Sequence, residues 1–240
     1  MLTAWETLTR VGLIDRAILA SPSMVAGALW KLIANGTLFD YMLISAQRVL
    51  AGFFLSAAAA IPLGILLGAS RVLKAMLDPV ISIIRPLPSL SWIPLSMLWF
   101  GIGETQKYSI VFMGTFAPLL VFVTDATLRV DRTLIKAAQN LGASRLKVMW
   151  EVLLPGAMPS IVSGLKVTLA IAWACIISAE MVGATDGLGF LIWNAKDWGN
   201  ISQVITGMLA ISATILFLDA LFLRFQYRLF PWLRHYEDDS

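Results

Sequence analysis

The sequence predicts an all-α, polytopic membrane protein, and three observations predict it. Hydrophobic residues make up 58% of the 240 and charged residues only 14%, where a soluble domain carries about a quarter; the mean hydropathy is +0.80. Five apolar runs approach the roughly 20 residues that a spanning helix needs. One long polar stretch, from Arg129 to Pro155, separates the third run from the fourth. No Pro/Gly/Ser-rich linker or charge block divides the chain, so we expect a non-spanning segment 1–37, one transmembrane domain 38–230 containing the loop 129–155, and a short tail 231–240.

Composition also excludes several classes. The net charge of +3 is spread among loops, as membrane orientation requires, and does not form a nucleic-acid surface. One cysteine, Cys175, and one histidine, His235, exclude an internal disulfide and a Cys/His metal site. No Gly-x-x-x-x-Gly-Lys-Ser/Thr loop is present, so the chain does not cradle ATP in that way.

In chain order, residues 1–37 mix Glu6, Arg10, Asp15, Arg16 and Lys31 with no apolar run long enough to span or to act as a signal peptide. The first span is expected from Tyr41 to Ala69, opening with an amphipathic turn at Gln47 and Arg48. Its small residues, Ser56 to Ala60, Gly64 and Gly68, suit close helix packing in lipid. Arg71 and Lys74 make a basic turn. The second span, Met76 to Phe100, contains Pro86, Pro88 and Pro94, which remove backbone donors and should break the helix where protein or water surrounds it. Arg85 beside this break needs a partner or a cavity. Three readings stand: pairing with Asp125, attraction of an anionic solute, or snorkelling.

The third span, Gln106 to Leu128, holds Pro118 and ends near Asp125, a gate residue or an interfacial one. The fourth, Met158 to Val182, carries Lys166, Trp173, Cys175 and, near its far end, Glu180, a candidate for holding an outer gate closed. Gly187 to Trp193, flanked by Asp186 and Asp197, is too short to span and reads as a dipping segment. The fifth span runs from Ile201 to Phe222; interfacial Tyr227 and Trp232 and the solvated acids Glu237, Asp238 and Asp239 follow. Arg71, Lys74, the Arg129–Lys147 loop and the arginine-rich C-terminus fall on one side. The other side carries only Lys107 and Lys196 in its two loops, so the polar loop and C-terminus are expected in the cytoplasm and the N-terminal segment outside.

The polar loop is the part expected to meet another protein. Leu134, Ala137, Ala138 and Leu141 recur at helical spacing, and Gly142 ends that helix because it adopts the left-handed conformation readily. A second short helix follows, with Leu146, Met149, Trp150 and Leu153 on its apolar side. Pro155 then sits where proline is tolerated, in the first turn of the next long helix.

These residues carry a family resemblance. Ala137, Ala138, Gly142, Val152, Leu154 and Pro155 resemble, with spacing intact, the Glu-Ala-Ala, three residues, Gly, nine residues, Ile-x-Leu-Pro loop of permease subunits of binding-protein-dependent ATP-binding-cassette importers. Lys136 replaces the general pattern's Glu, a position at which the taurine, alkanesulfonate and nitrate branch is lax. Arg85-Pro86-Leu87-Pro88 with Trp92 and Pro94, and Phe100 to Glu104 after them, resemble that branch's signatures. Ala20 to Ser23 resembles a turn that in the family follows a first transmembrane helix.

The resemblance implies a type I importer permease with a five-helix core in the inner membrane. Lys136, Ala137, Ala138, Leu141, Gly142, Ala143, Ser144 and Pro155 would form the coupling loop. It implies a homodimer with a second permease copy, two ATPase subunits that bind ATP and Mg, a solute-binding protein, and no cofactor in this chain. The substrates implied are small oxyanions, with taurine or another sulfonate preferred over nitrate and bicarbonate. Two rivals fare worse. An ion-coupled secondary transporter would show an inverted repeat and midplane carboxylates, and a membrane enzyme would need a nucleophile and base or a metal set within the bilayer.

Overall fold

The computed structural model describes residues 2–11, 15 and 18–229. Met1, Arg16, the tail with Trp232, Arg234, His235 and its three acids, and the side chain of Tyr227 lie outside the described residues. The described residues form helices and connecting turns, with no strand. Before the first span come α1 (Leu2–Arg10) and α2 (Pro22–Ala34). Ser21 caps α2 by accepting a hydrogen bond from the Met24 amide, and Pro22 occupies the first turn, where its missing N–H costs nothing. The Glu6 carboxylate accepts from the amide and hydroxyl of Ser23 at 3.0 and 2.8 Å. These bonds hold Glu6 below the usual carboxylate range.

The core is built from α3 (Thr37–Ala69), α6 (Glu104–Leu128) and α9 (Leu154–Met181), with α3 packed on α6 and α6 on α9 along their lengths. The expected small-residue stripe is the reason α3 and α6 lie so close. Gly52, Ser56, Ala60 and Gly64 recur every fourth residue and are buried, and Gly68 continues the series. A Cβ added at Gly52, Gly64 or Gly68 would come within 2.6 Å of side-chain atoms of Val111, Val123 or Thr127 on α6.

Prolines in the second run break it, as expected. α4 (Arg71–Ile84) and α5 (Trp92–Phe100), with a single 3-10 turn, Ser89–Ser91, before α5, meet at an 80° bend. Pro86 and Pro88 lack the amides that would extend α4, so the helix stops just after Arg85, its still helical C-cap. The run also begins earlier than expected, at Arg71, and α4 has no buried residue. Arg85 is therefore exposed at the bend rather than enclosed.

Among the described residues, four helices are long and apolar enough to cross a membrane, five if the bent pair counts as one span. The fourth is longer than expected. It is continuous from Arg145 to Met181 through α8 (Arg145–Val148), a widened π turn at Met149–Leu153, and α9. Pro155 explains the widening: it offers no amide to the Glu151 carbonyl, and the turn before it relaxes. The dipping segment is the short helix α10 (Leu188–Asp197), packed between α9 and the last span, α11 (Ile201–Leu229).

Candidate functional site

Two places in the molecule concentrate polar groups on helices, at opposite ends of the spans. The first is the loop between α6 and α9. Asp131 caps α7 (Arg132–Asn140) by accepting from the Thr133 amide at 2.8 Å, which holds its carboxyl below the usual range. At the other end of α7, Gly142 has φ +81°. Its amide donates to the Gln139 carbonyl at 2.9 Å, and the Ala143 amide donates to the Ala138 carbonyl at 3.0 Å. This is the paired closure of a Schellman motif. A Cβ at residue 142 would meet nothing within 4 Å, so glycine is required there by conformation and not by space. Ser144 then caps α8 through the Lys147 amide at 3.3 Å.

The apolar face expected on α7 is split. Leu134 is 54% and Leu141 88% exposed, and Ala137 faces solvent with them. Ala138 and Ala143 turn inward against the cluster around Val130, Val148 and Leu153. Leu146 and Trp150 extend the exposed apolar surface onto the next turns. Lys136 is exposed beside them.

The second place lies at the far end and is centred on Arg48, a residue read in sequence only as part of an amphipathic turn. Its side chain is 3% exposed. It grips Glu104, the first residue of α6, with two parallel hydrogen bonds of 2.8 and 2.5 Å. It reaches Glu180 Oε1 at 2.9 Å and the Asp186 carbonyl at 3.1 Å, and it also pairs with the Asp186 carboxylate. Lys107 donates to Glu104 at 2.8 Å and is buried. One of the two cations expected in the outer loops is thus paired inside the protein.

Glu180 is fully enclosed. Ser45 donates to its two oxygens at 2.8 and 2.9 Å, and the Gly189 amide donates at 2.9 Å from the first turn of α10. The Leu188 amide completes the set by donating to Ser45 Oγ at 2.9 Å. The two glycines of the dipping segment make this possible. Gly187 has φ +103°, and a Cβ there would lie within 2.6 Å of all three atoms of the Glu180 carboxyl group; a Cβ on Gly189 would meet Glu180 Cβ at 2.8 Å. The N-terminus of α10 thus binds an anion, and the anion is the chain's own carboxylate. Two cations and three carboxylates tie α3, α6, α9, the 182–187 turn and α10 together.

Arg85 and Asp125 are not part of either place. They line one cavity of about 250 Å³ between α4 and α6, with Lys74, Asp78 and Ser82, and form no ion pair with each other among the described residues; Lys74 instead holds Asp78 at 2.6 Å. The buried arginine that sequence reasoning sought at Arg85 is Arg48. The signal available was the combination of Arg48 with Glu180 and the Gly-x-Gly at 187–189, read separately as an amphipathic turn, a gate candidate near a helix end and a dipping segment.

Comparison with known proteins agrees with this architecture. The family described as binding-protein-dependent transport system inner membrane component matches residues 60–235. The taurine transport system permease protein TauC of Escherichia coli K12 is 37% identical over 97% of this chain and 86% of its own length. The putative aliphatic sulfonates transport permease SsuC of the same organism is 34% identical (87% and 80%). The nitrate import permease NrtB of Leptolyngbya laminosa is 32% identical (83% and 75%). Among solved structures, an inward-facing MetNI methionine ABC transporter superposes with a TM-score of 0.70 at 22% identity, covering 83% of this chain and 97% of the other.

Proposed function

The chain belongs to the family of inner membrane components of binding-protein-dependent transport systems, in its taurine, sulfonate and nitrate branch, and we propose that the solute it passes is a small sulfonate, taurine before other alkanesulfonates. It is a multi-pass permease subunit of the inner membrane, serving an ABC importer whose ATPase is a separate subunit and whose cargo arrives on a binding protein. The observation that carries the sulfonate reading is 37% identity with a taurine permease over 97% of this chain, against 32% over 83% for a nitrate permease. A nitrate or bicarbonate importer is the second reading, favoured by the 32% identity with a nitrate permease over 83% of this chain.

In this reading two copies of the permease enclose the pathway. Two ATPase subunits, which bind ATP and Mg, dock on the loops from Lys136 to Trp150 in the cytoplasm, and the N-terminal segment lies outside. Four large apolar side chains, Leu134, Leu141, Leu146 and Trp150, stand exposed on one polar loop, which supports docking there. Lys136, Ala137 and Leu141 meet the ATPase. Ala138, Gly142, Ala143, Ser144 and Pro155 shape the loop that presents them. ATP closure rocks the paired permeases between inward-open and outward-open states. The ionic cluster at Arg48 and Glu180 binds the outer ends of the helices into one block, so opening occurs between copies rather than within one. Arg85, exposed without an ion pair among the described residues, is available to attract an anion on its way past Asp125.

The test is ATP hydrolysis by the permease co-purified with its ATPase and reconstituted with its binding protein, titrated with taurine, alkanesulfonates, nitrate and bicarbonate. Stimulation by taurine or a sulfonate alone is the expected result. Stimulation by nitrate or bicarbonate instead replaces the substrate class and leaves the subunit assignment standing.

A further inference from the structure

The second cavity in the molecule lies between the polar loop and the ends of the spans, and the transport reading does not use it. Its volume is about 750 Å³, within the roughly 300–1,000 Å³ that ligands of drug size occupy. Four cations line it: Arg71 at the α3–α4 turn, Arg132 and Lys136 on α7, and Arg145 on α8. Among the described residues no carboxylate lines it. None of the four forms an ion pair or side-chain hydrogen bond among the described residues. The neighbouring acids are occupied elsewhere, Asp131 on the Thr133 amide and Glu151 opposite Lys147 at 3.8 Å.

Beneath the cations the floor is apolar and buried: Val130, Val148 and Leu153. The wall toward the spans is Leu66, Leu73 and Leu128, the final turns of α3 and α6 and the first turn of α4. The cavity thus sits where three helices leave the hydrocarbon region, at the depth of lipid headgroups, cationic on its polar side and aliphatic on the side toward the acyl chains.

We infer that this cavity binds a phosphate-bearing anion, the headgroup of an anionic phospholipid of the leaflet on the coupling-loop side. Physical chemistry favours a lipid over a small free anion. Four unpaired cations raise the local potential for any anion, but only an amphiphile also covers the aliphatic wall, and basic pockets between spans are suited to such headgroups. The ATPase is the less fitting occupant. The cavity takes the edge of α7 formed by Arg132, Ile135, Lys136 and Gln139, whereas the apolar residues left exposed lie on the other edge, at Leu134, Ala137 and Leu141. Lys136 borders both. A lipid held here braces α7 against the α3–α4 turn.

The experiment uses the full-length permease, exchanged into nanodiscs of phosphatidylcholine with a minority of phosphatidylglycerol, then extracted and examined by native mass spectrometry for retained lipid. We expect phosphatidylglycerol retained in preference to phosphatidylcholine. The R71Q/R145Q double variant should reduce that retention about tenfold, and Arg228→Gln, a cation on α11 outside the cavity, should leave it unchanged. Equal retention of the two lipids by the unaltered protein overturns the inference without reliance on any variant, and so does wild-type retention by the double variant. Displacement of the lipid by millimolar inorganic phosphate assigns the cavity to a free oxyanion and overturns the lipid assignment. Neither ATPase nor transported solute enters the assay, so its outcome is independent of the substrate reading.

Discussion

The two ends of this molecule treat charge in opposite ways. At the Arg48 end, Arg48 and Lys107 are buried and paired with Glu104, Glu180 and Asp186 of the same chain. At the end that carries α7 and α8, Arg71, Arg132, Lys136 and Arg145 are exposed without ion pairs among the described residues, beside leucines and a tryptophan that are exposed as well. The first arrangement is complete within one chain. Buried charge is tolerated only when paired and hydrogen-bonded, and here both requirements are met. The second leaves its charges without ion pairs among the described residues and its large apolar groups in the open.

The largest effect should come from Arg48. Arg48→Ala strands Glu180 in an enclosed site and should cost about 3–5 kcal/mol, read as loss of folded protein in thermal unfolding of the detergent-solubilised permease. Arg85→Ala should leave that stability unchanged and lower uptake only. Equal stability of the Arg48→Ala and Arg85→Ala variants would erase the distinction between the two ends.

Next in size is Gly187→Ala. It combines a strained positive φ with a Cβ against the Glu180 carboxyl group, and it should cost about 1–3 kcal/mol. Circular dichroism melts compared with Gly199→Ala, which is at φ +66° but has nothing within 4 Å of its Cβ, isolate the part due to the carboxylate contact.

Gly142→Pro should disturb stability less, because the change is confined to the loop, yet abolish transport. Proline cannot take φ +81°, and it removes the amide that closes α7 on Gln139. The variant should insert and express normally with no uptake; normal uptake would refute the docking assignment for the loop. A bulky residue at Ala138 is a poorer probe, since Ala138 packs inward and its replacement disturbs the permease itself.

The smallest effect is a pH dependence at Asp131. Its folded-state carboxyl is held low by the Thr133 amide, so its capping contribution is complete above the ordinary carboxyl range and fades as pH falls through the lowered value. Hydrogen exchange at α7 amides, corrected for intrinsic rate, should show Asp131→Asn less protected than the unaltered chain near neutrality, with the difference shrinking on acidification. A pH-independent difference would assign the effect to something other than the ionised cap.

Much of the architecture follows from local chemistry and was therefore legible in the residues. Apolar runs of spanning length, helix-ending Gly142, the prolines at the 80° bend and the small-residue stripe of α3 each act over a few residues or along one helix face. The loop pattern around Ala137, Gly142 and Pro155 likewise sits in one short stretch. The Arg48 cluster could not be read that way, because its partners stand 56, 132 and 138 residues away in sequence. Nor could periodicity show that Ala138 faces inward while Leu141 faces out, that Arg85 is exposed at a bend, or that four separated cations line one cavity. Those outcomes depend on which helix ends the packing brings together. The sequence alone determined where this chain crosses and bends; only the tertiary structure decided which of its charges neutralise one another and which do not, because electrostatic pairing is set by distance in space and carries no local pattern.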